Sequence, residues 1–306
     1  MTACFLLVFL TKFMPASSSP IVSTEIRHAM GRYSTVIVTG GSSGIGRMFI
    51  ERLLTVAPDL VVFNLSRRIP NIFHGQLNLR HIECDLSDPA VLGAAAERVL
   101  SELKQRAPTG GILLINNSGF GGYGRVSEVG REHQLEMIDV NVRAVVDLTT
   151  RLLPVIEERG GTVLNVASLA GFLPTAYTAT YGASKAFVLH WTLALDAELR
   201  GRRAQRGAWA LAVCPGPVAT EFFRRAGLRE GAAGDALAFT VEGVVEQSLR
   251  ALARGQSVCL PGWRPRWVAR VVSVLPKSWV ARIGARVLER YRMSRVAGGE
   301  GRGGES

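Results

Sequence analysis

Between Tyr33 and Leu260 the chain alternates short apolar runs with longer segments of helical spacing, and this restricts the fold more than any other feature. The apolar, β-branched runs stand at Thr35–Thr39, Leu60–Leu65, Ile112–Asn116, Gly161–Val166, Trp209–Cys214 and Ser257–Leu260, with a weaker one at His81–Cys84. Helical spacing fills the gaps at Gly44–Val56, Pro89–Gln105, Arg131–Ile156, Thr178–Arg200 and Val241–Ala253. The strand runs are apolar at almost every position rather than at every second one, so both of their faces must be covered. A parallel sheet between two helix layers covers them, and strands alternating with helices build such a sheet. The expectation is an α/β fold with an open, doubly wound parallel sheet.

No internal repeat is visible beyond this alternation, and composition does not shift before about residue 261. The expected organisation is an N-terminal extension over 1–31, one domain over 32–262 and a basic helical tail over 263–306. With 47% apolar residues the chain can fill a large core. Ala3–Leu10 is apolar but too short to span a bilayer, and no basic residue precedes it as in a secretory signal. The extension is therefore read as disordered or as an over-called start, and the last ten residues, AGGEGRGGES, as disordered. Cys4, Cys84, Cys214 and Cys259 lie far apart, without metal-ligand spacing, and read as reduced thiols of a cytoplasmic protein. No metal is expected. The net charge of +11 is concentrated: Pro261–Ser306 holds ten basic and three acidic residues. A tail property of this kind does not imply a nucleic-acid partner, and no nucleic-acid-reading motif is present.

The first strand runs into Thr39-Gly40-Gly41-Ser42-Ser43-Gly44-Ile45-Gly46, where helical spacing begins. Glycines let the backbone turn tightly beside a pyrophosphate, and a helix N-terminus offers it unpaired N–H groups. This placement, after the first strand of the alternating pattern, points to a Rossmann-type dinucleotide site; a tight turn is the plainer reading. The second strand ends in Asn64-Leu65-Ser66-Arg67-Arg68, without the acid that would hold the ribose hydroxyls of NAD. Arg67 can pair with a 2′-phosphate instead, which favours NADP(H), while Arg68 reads as a solvated charge.

Tyr181-Gly182-Ala183-Ser184-Lys185 sets a phenol and an amine four residues apart on one helix face. A nearby ammonium favours phenolate and is expected to bring the Tyr181 pKa down toward an acid/base range. Such a pair arises by chance in roughly one chain in fifteen of this composition. Only four of the 36 basic residues are Lys, so an amine here is a further pointer. Ser168 follows the strand run that ends at Val166, at the sheet end where such folds bind ligands; alone, it reads as a helix cap.

In this order and spacing the motifs resemble those of the short-chain dehydrogenase/reductase family, from about Arg32 to Gly262. Thr39–Gly46 is similar to its glycine-rich turn, Asn116-Asn117-Ser118-Gly119 to its N-N-A-G segment, and Pro215-Gly216-Pro217-Val218-Ala219-Thr220 to its cofactor loop. Asp85-Leu86 resembles the pair that holds the adenine. The resemblance implies a hydride transfer between NADP(H) and a carbonyl or secondary alcohol, with Tyr181 as acid/base and Ser168 bonding the reacting oxygen. It also implies that Lys185 binds the nicotinamide ribose, that Asn141 holds a proton-relaying water, and that Val218 and Thr220 contact the carboxamide. Gly40, Ser42, Ser43, Gly44, Ile45, Gly46, Asn117, Gly119, Pro215 and Gly216 complete the implied cofactor set, to which Arg47 is a candidate addition. Ser118 departs from the usual Ala, and Gly41 doubles the first glycine. The segment Glu221–Phe239 resembles the variable substrate lid, and Phe120–Arg125 and Leu169–Thr178 are expected to wall a pocket for a moderately apolar small molecule. A non-catalytic NADP-binding sensor, or a membrane-associated interaction protein on the same fold, is the competing reading.

The tail sequence WRPRWVARVVSVLPKSWVARIGARVLERYRMSR sets Val280, Ile283, Val287, Leu288 and Tyr291 on one helical face and supplies three of the five Trp. Such helices suit an anionic membrane surface, giving peripheral contact, or pack on their own domain or on a second subunit of a homo-oligomer.

Overall fold

The computed structural model describes residues 24–69, 77–105, 110–201, 207–218 and 239–296. Seven parallel strands form one sheet: β1 (Tyr33–Thr39), β2 (Val61–Ser66), β3 (Leu79–Glu83), β4 (Gly111–Asn116), β5 (Thr162–Val166), β6 (Trp209–Val213) and β7 (Val258–Cys259). Their order is β3-β2-β1-β4-β5-β6-β7, the doubly wound arrangement expected from the alternation. The order reverses between β1 and β4, whose C-terminal ends therefore diverge and open a crevice.

The helices are α1 (Thr24–Met30), α2 (Gly44–Val56), α3 (Pro89–Gln105), α4 (Arg131–Ile138), α5 (Ala144–Arg159), α6 (Ala179–Gly201), α7 (Val241–Ala253), α8 (Trp263–Val274) and α9 (Lys277–Val296). They cover both faces of the sheet, and two apolar layers result. One joins α1, α2 and α7 to strand residues such as Val36, Val38, Leu113 and Leu211. The other joins α3, α5 and part of α6 to Ile37, Phe63, Leu114 and Val163. The strand β4 is buried at every position, as its unbroken apolar run required.

Two elements depart from the sequence reading. Within the segment read as an extension, α1 is an ordered helix with Ile26 and Met30 fully buried. Seven residues are too short for periodicity to reveal, and the helix is held by packing rather than by propensity. The segment Arg131–Ile156 is not one regular helix: Asp139–Arg143 forms a π-helical turn between α4 and α5. Cys84, Cys214 and Cys259 are buried free thiols, and Cys4 lies outside the described residues, as do the rest of 1–23 and the last ten residues.

Candidate active site

At the switch point, β1 passes into a turn that only glycine fits easily. Gly40 has φ +69° and Gly44 φ +56°. A side chain at Gly40 would meet Ser118 Oγ at 2.5 Å, and one at Gly46 would run into Asn117 and the Gly40 carbonyl oxygen. The α2 N-terminus thus sits against the ends of β1 and β4. The Ser43 side chain does not cap α2, and its first turn has no acidic residue, so the turn's amides can receive an anion. Asn117 ties the two strand ends together, its N–H donating to Thr39 Oγ1 at 3.0 Å and its side chain to Thr39 O at 3.0 Å. Asn64 accepts from Gly41 N–H at 3.0 Å and fixes the turn from the β2 side.

A cleft of about 710 Å³ runs across these strand ends. Gly40, Ser42, Ser43, Gly44, Ile45, Arg67, Asp85, Leu86, Asn117, Gly119, Pro215, Gly216 and Val218 line it, together with Ser168, Tyr181 and Lys185. Gly46 lies just behind, holding α2 close. Arg67 and Asp85 face each other at 3.9 Å, both well exposed. Hydrogen bonds from Ser87, helped by Arg67, hold the Asp85 carboxyl below the usual carboxylate range. Arg47 is engaged with Glu51 at 2.9 Å, an ordinary helix-surface ion pair. Thr220 and most of Glu221–Phe239, Phe222 and Phe223 included, lie outside the described residues.

Three elements bring together the remaining side chains. Ser168 stands at the end of β5 and caps a 3-10 turn, Leu169–Phe172, accepting from Ala170 N–H at 3.1 Å. The same hydroxyl is hydrogen-bonded to Tyr181, so the cap reading and the site reading are both true of it. Lys185 is one turn further along α6, buried, its Nζ donating to Val166 O at 2.8 Å. Asn141 comes from the π turn, a distortion that often marks functional positions in helices. Its side chain is fully buried, donating to Phe120 O at 2.9 Å and Ser184 Oγ at 3.0 Å and accepting from Phe120 N–H at 3.1 Å. Gly119 separates Asn141 from Lys185: a side chain there would meet Asn141 Oδ1 at 3.0 Å and Lys185 Nζ at 3.1 Å.

The electrostatics differ from the sequence expectation. Burial raises the Tyr181 phenol to about 12, the Ser168 hydrogen bond opposing it in part. Burial also lowers Lys185 to about 8. The Lys185 Nζ is 6.0 Å from the centre of the Tyr181 ring and its proton goes to a carbonyl, so desolvation outweighs the charge of the neighbouring amine.

A family model described as short chain dehydrogenase matches residues 34–230. The chain belongs to the short-chain dehydrogenase family. Among curated relatives, it is 32% identical over 226 residues to a sulfoacetaldehyde reductase of Chromohalobacter salexigens, covering 69% of this chain and 85% of that protein. Among solved structures, a short-chain dehydrogenase from Sphingobium yanoikuyae in complex with NADPH superposes with TM-score 0.65 at 26% identity, over 89% of this chain and 98% of that one. A short chain dehydrogenase/reductase from Burkholderia phymatum in complex with NAD has the same fold, with TM-score 0.66 at 20% identity over 78% and 92% of the two chains. As a short-chain dehydrogenase the chain is an oxidoreductase of the nicotinamide-dinucleotide type.

The short-chain dehydrogenase site contains residues that sequence reasoning missed. His133, Glu136 and Val140, on α4 and the π turn, line the cleft beside Phe120. His133 packs against the Phe120 ring at 5.1 Å. Nothing in a helix read by its apolar period distinguishes the side chains that face a cleft from those that face solvent. Also missed was a buried polar ladder beneath the site. Asn116 donates to Thr149 at 2.9 Å and to Asn165 at 2.8 Å, and Asn165 donates to Thr192 at 2.9 Å. It ties β4 and β5 to α5 and α6, and so fixes the strand ends from which Asn117 and Ser168 project.

Proposed function

We propose that this chain is an NADP(H)-dependent oxidoreductase that exchanges a hydride between the nicotinamide and the carbonyl or secondary-alcohol carbon of a moderately apolar small molecule. The observation that carries this reading is the Ser168–Tyr181 hydroxyl pair, opening onto the cleft with buried Lys185 one helical turn away. The residues present fit a dinucleotide: positive-φ glycines leave room for its backbone approach, and uncapped α2 amides meet a pyrophosphate. When bound, the nicotinamide supplies or accepts the hydride. A phenol held near 12 is fully protonated at neutral pH, which suits Tyr181 as the proton donor to a developing alkoxide. Ser168 donates a second hydrogen bond to the same oxygen, stabilising charge where it develops. Lys185 keeps most of its charge at neutral pH and holds the ribose. Both Asn141 amide hydrogens are committed, so a relay water would use the remaining lone pair of its Oδ1; the bond to Phe120 O holds the neighbouring Gly119 between Asn141 and Lys185. The NADP preference rests on Arg67, exposed at the end of β2 and steered by Asp85, and agrees with the NADPH held by the Sphingobium protein. The domain limits we propose are 24–262 for the cofactor-binding and catalytic unit, with the helical tail after it.

The test is NADPH consumption by the purified chain across ketones and aldehydes from small polar to long apolar ones, with Tyr181→Phe alongside. Turnover should fall about 10²- to 10⁴-fold in the variant while NADPH binding is kept. Equal turnover by the variant would remove Tyr181 from the chemistry.

A further inference from the structure

The helix α8 faces the wrong way for a helix that only covers its own domain. Its small residues Pro265 and Ala269 are buried, whereas Trp263, Trp267, Val271 and Val274 face solvent. These four stand at i, i+4, i+8 and i+11, a single stripe along one side of the helix. Trp267 is 59% exposed and Val274 82%. The stripe continues in kind on α9, where Trp279 and Ile283 are exposed although Val280 is buried. The face expected at Val280 and Ile283 is therefore divided between core and solvent, and the side chains of Val287, Leu288 and Tyr291 lie outside the described residues. Around the exposed apolar groups are Arg264, Arg266, Arg270, Lys277, Arg282 and Arg286, and no acidic residue occurs between 263 and 286.

We infer that this face docks on an anionic membrane surface. Exposed tryptophans among cations match the interface of such a bilayer, where the rings sit at headgroup depth and the cations meet the phosphates. The contact is peripheral, since among the described residues no helix is long and apolar enough to cross a membrane. A second copy is the poorer occupant: a two-fold contact would set the patch on itself and bring its six cations against six others. The helix that bears this face also adjoins the cleft. α8 packs on the 3-10 turn Leu169–Phe172, and Lys277 Nζ donates to Phe172 O at 3.3 Å, while Leu169, Ala170 and Leu173 form a cleft wall.

The full chain should be floated with vesicles of phosphatidylcholine alone and of phosphatidylcholine mixed with phosphatidylglycerol, alongside Trp267→Glu. We expect binding to the mixed vesicles to exceed binding to the neutral ones more than about tenfold, to fall with salt, and to be lost in Trp267→Glu. Turnover of a water-soluble ketone should be the same in both proteins, which shows that the variant is folded and separates this test from that of the oxidoreductase reading. Equal partition into both vesicle types would overturn the inference. So would a wild-type dimer that Trp267→Glu converts to monomer without vesicle binding. Retained binding of Trp267→Glu to mixed vesicles and to a DNA duplex alike would leave charge alone as the cause, and would overturn it too.

Discussion

Tyr181 and Lys185 share one face of α6, yet burial moves both toward their neutral forms: the phenol up to about 12, the amine down to about 8. For Lys185 this is a stability statement. Between pH 8 and 10.5 the unfolded chain binds a proton that the folded chain has lost, so stability rises with pH across that window. Measured against Lys185→Met by urea unfolding, the wild type should gain on the order of 3 kcal/mol from pH 8 to 10.5. A flat difference would mean that Lys185 is solvated. Arg67 makes the other residue-scale prediction. Arg67→Glu removes a cation from the end of β2 and adds an anion where we propose that the 2′-phosphate is held. The ratio of kcat/KM with NADPH to that with NADH should drop about ten- to a hundredfold; an unchanged ratio would place the preference elsewhere.

At the scale of elements, the α2 N-terminus and the strand ends act as one unit held by close approach. In Gly46→Ala the new methyl runs into the Asn117 side-chain amide, itself held by Thr39 O, and into the Gly40 carbonyl, backbone that cannot swing away. Strain of about 1–3 kcal/mol should weaken NADPH binding about tenfold or more by fluorescence titration and lower the urea midpoint. An unaffected Kd would show that α2 can shift freely. The glycine turn and Tyr-x-x-x-Lys were legible because backbone clearance and helical spacing are local properties written in residue type. The inner strands were legible because a two-faced burial leaves unbroken apolar runs, whereas the half-buried edge strand β3 left only a weaker one. Much else was not. The helix α1 is too short to announce itself, although Ile26 and Met30 reach the core against α2 and α7. The π turn at Asp139–Arg143 has no residue that demands it, and it is held by what surrounds Asn141. The rise of Tyr181 rather than its fall depends on burial depth against distance to an amine, which spacing along a helix does not reveal.

Over the whole molecule, the sheet's switch point opens the cleft and the basic tail lies beside it. The sheet presents Asn117, Ser168 and the glycine turn from neighbouring strand ends, and α6 brings Tyr181 and Lys185 to the same cleft. The excess positive charge of the tail sits on α8 and α9, beside the cleft that Arg67 and Lys185 line. On the proposed function, the cleft is organised around one event, hydride transfer at a carbonyl carbon. The most direct measurement is isotope transfer from NADPH dideuterated at nicotinamide C4, with the best ketone of the panel and mass spectrometry of the alcohol product. One deuterium is expected on the carbinol carbon of each product molecule. An alcohol formed without deuterium, or cofactor consumed with no alcohol formed, would contradict the proposed hydride transfer.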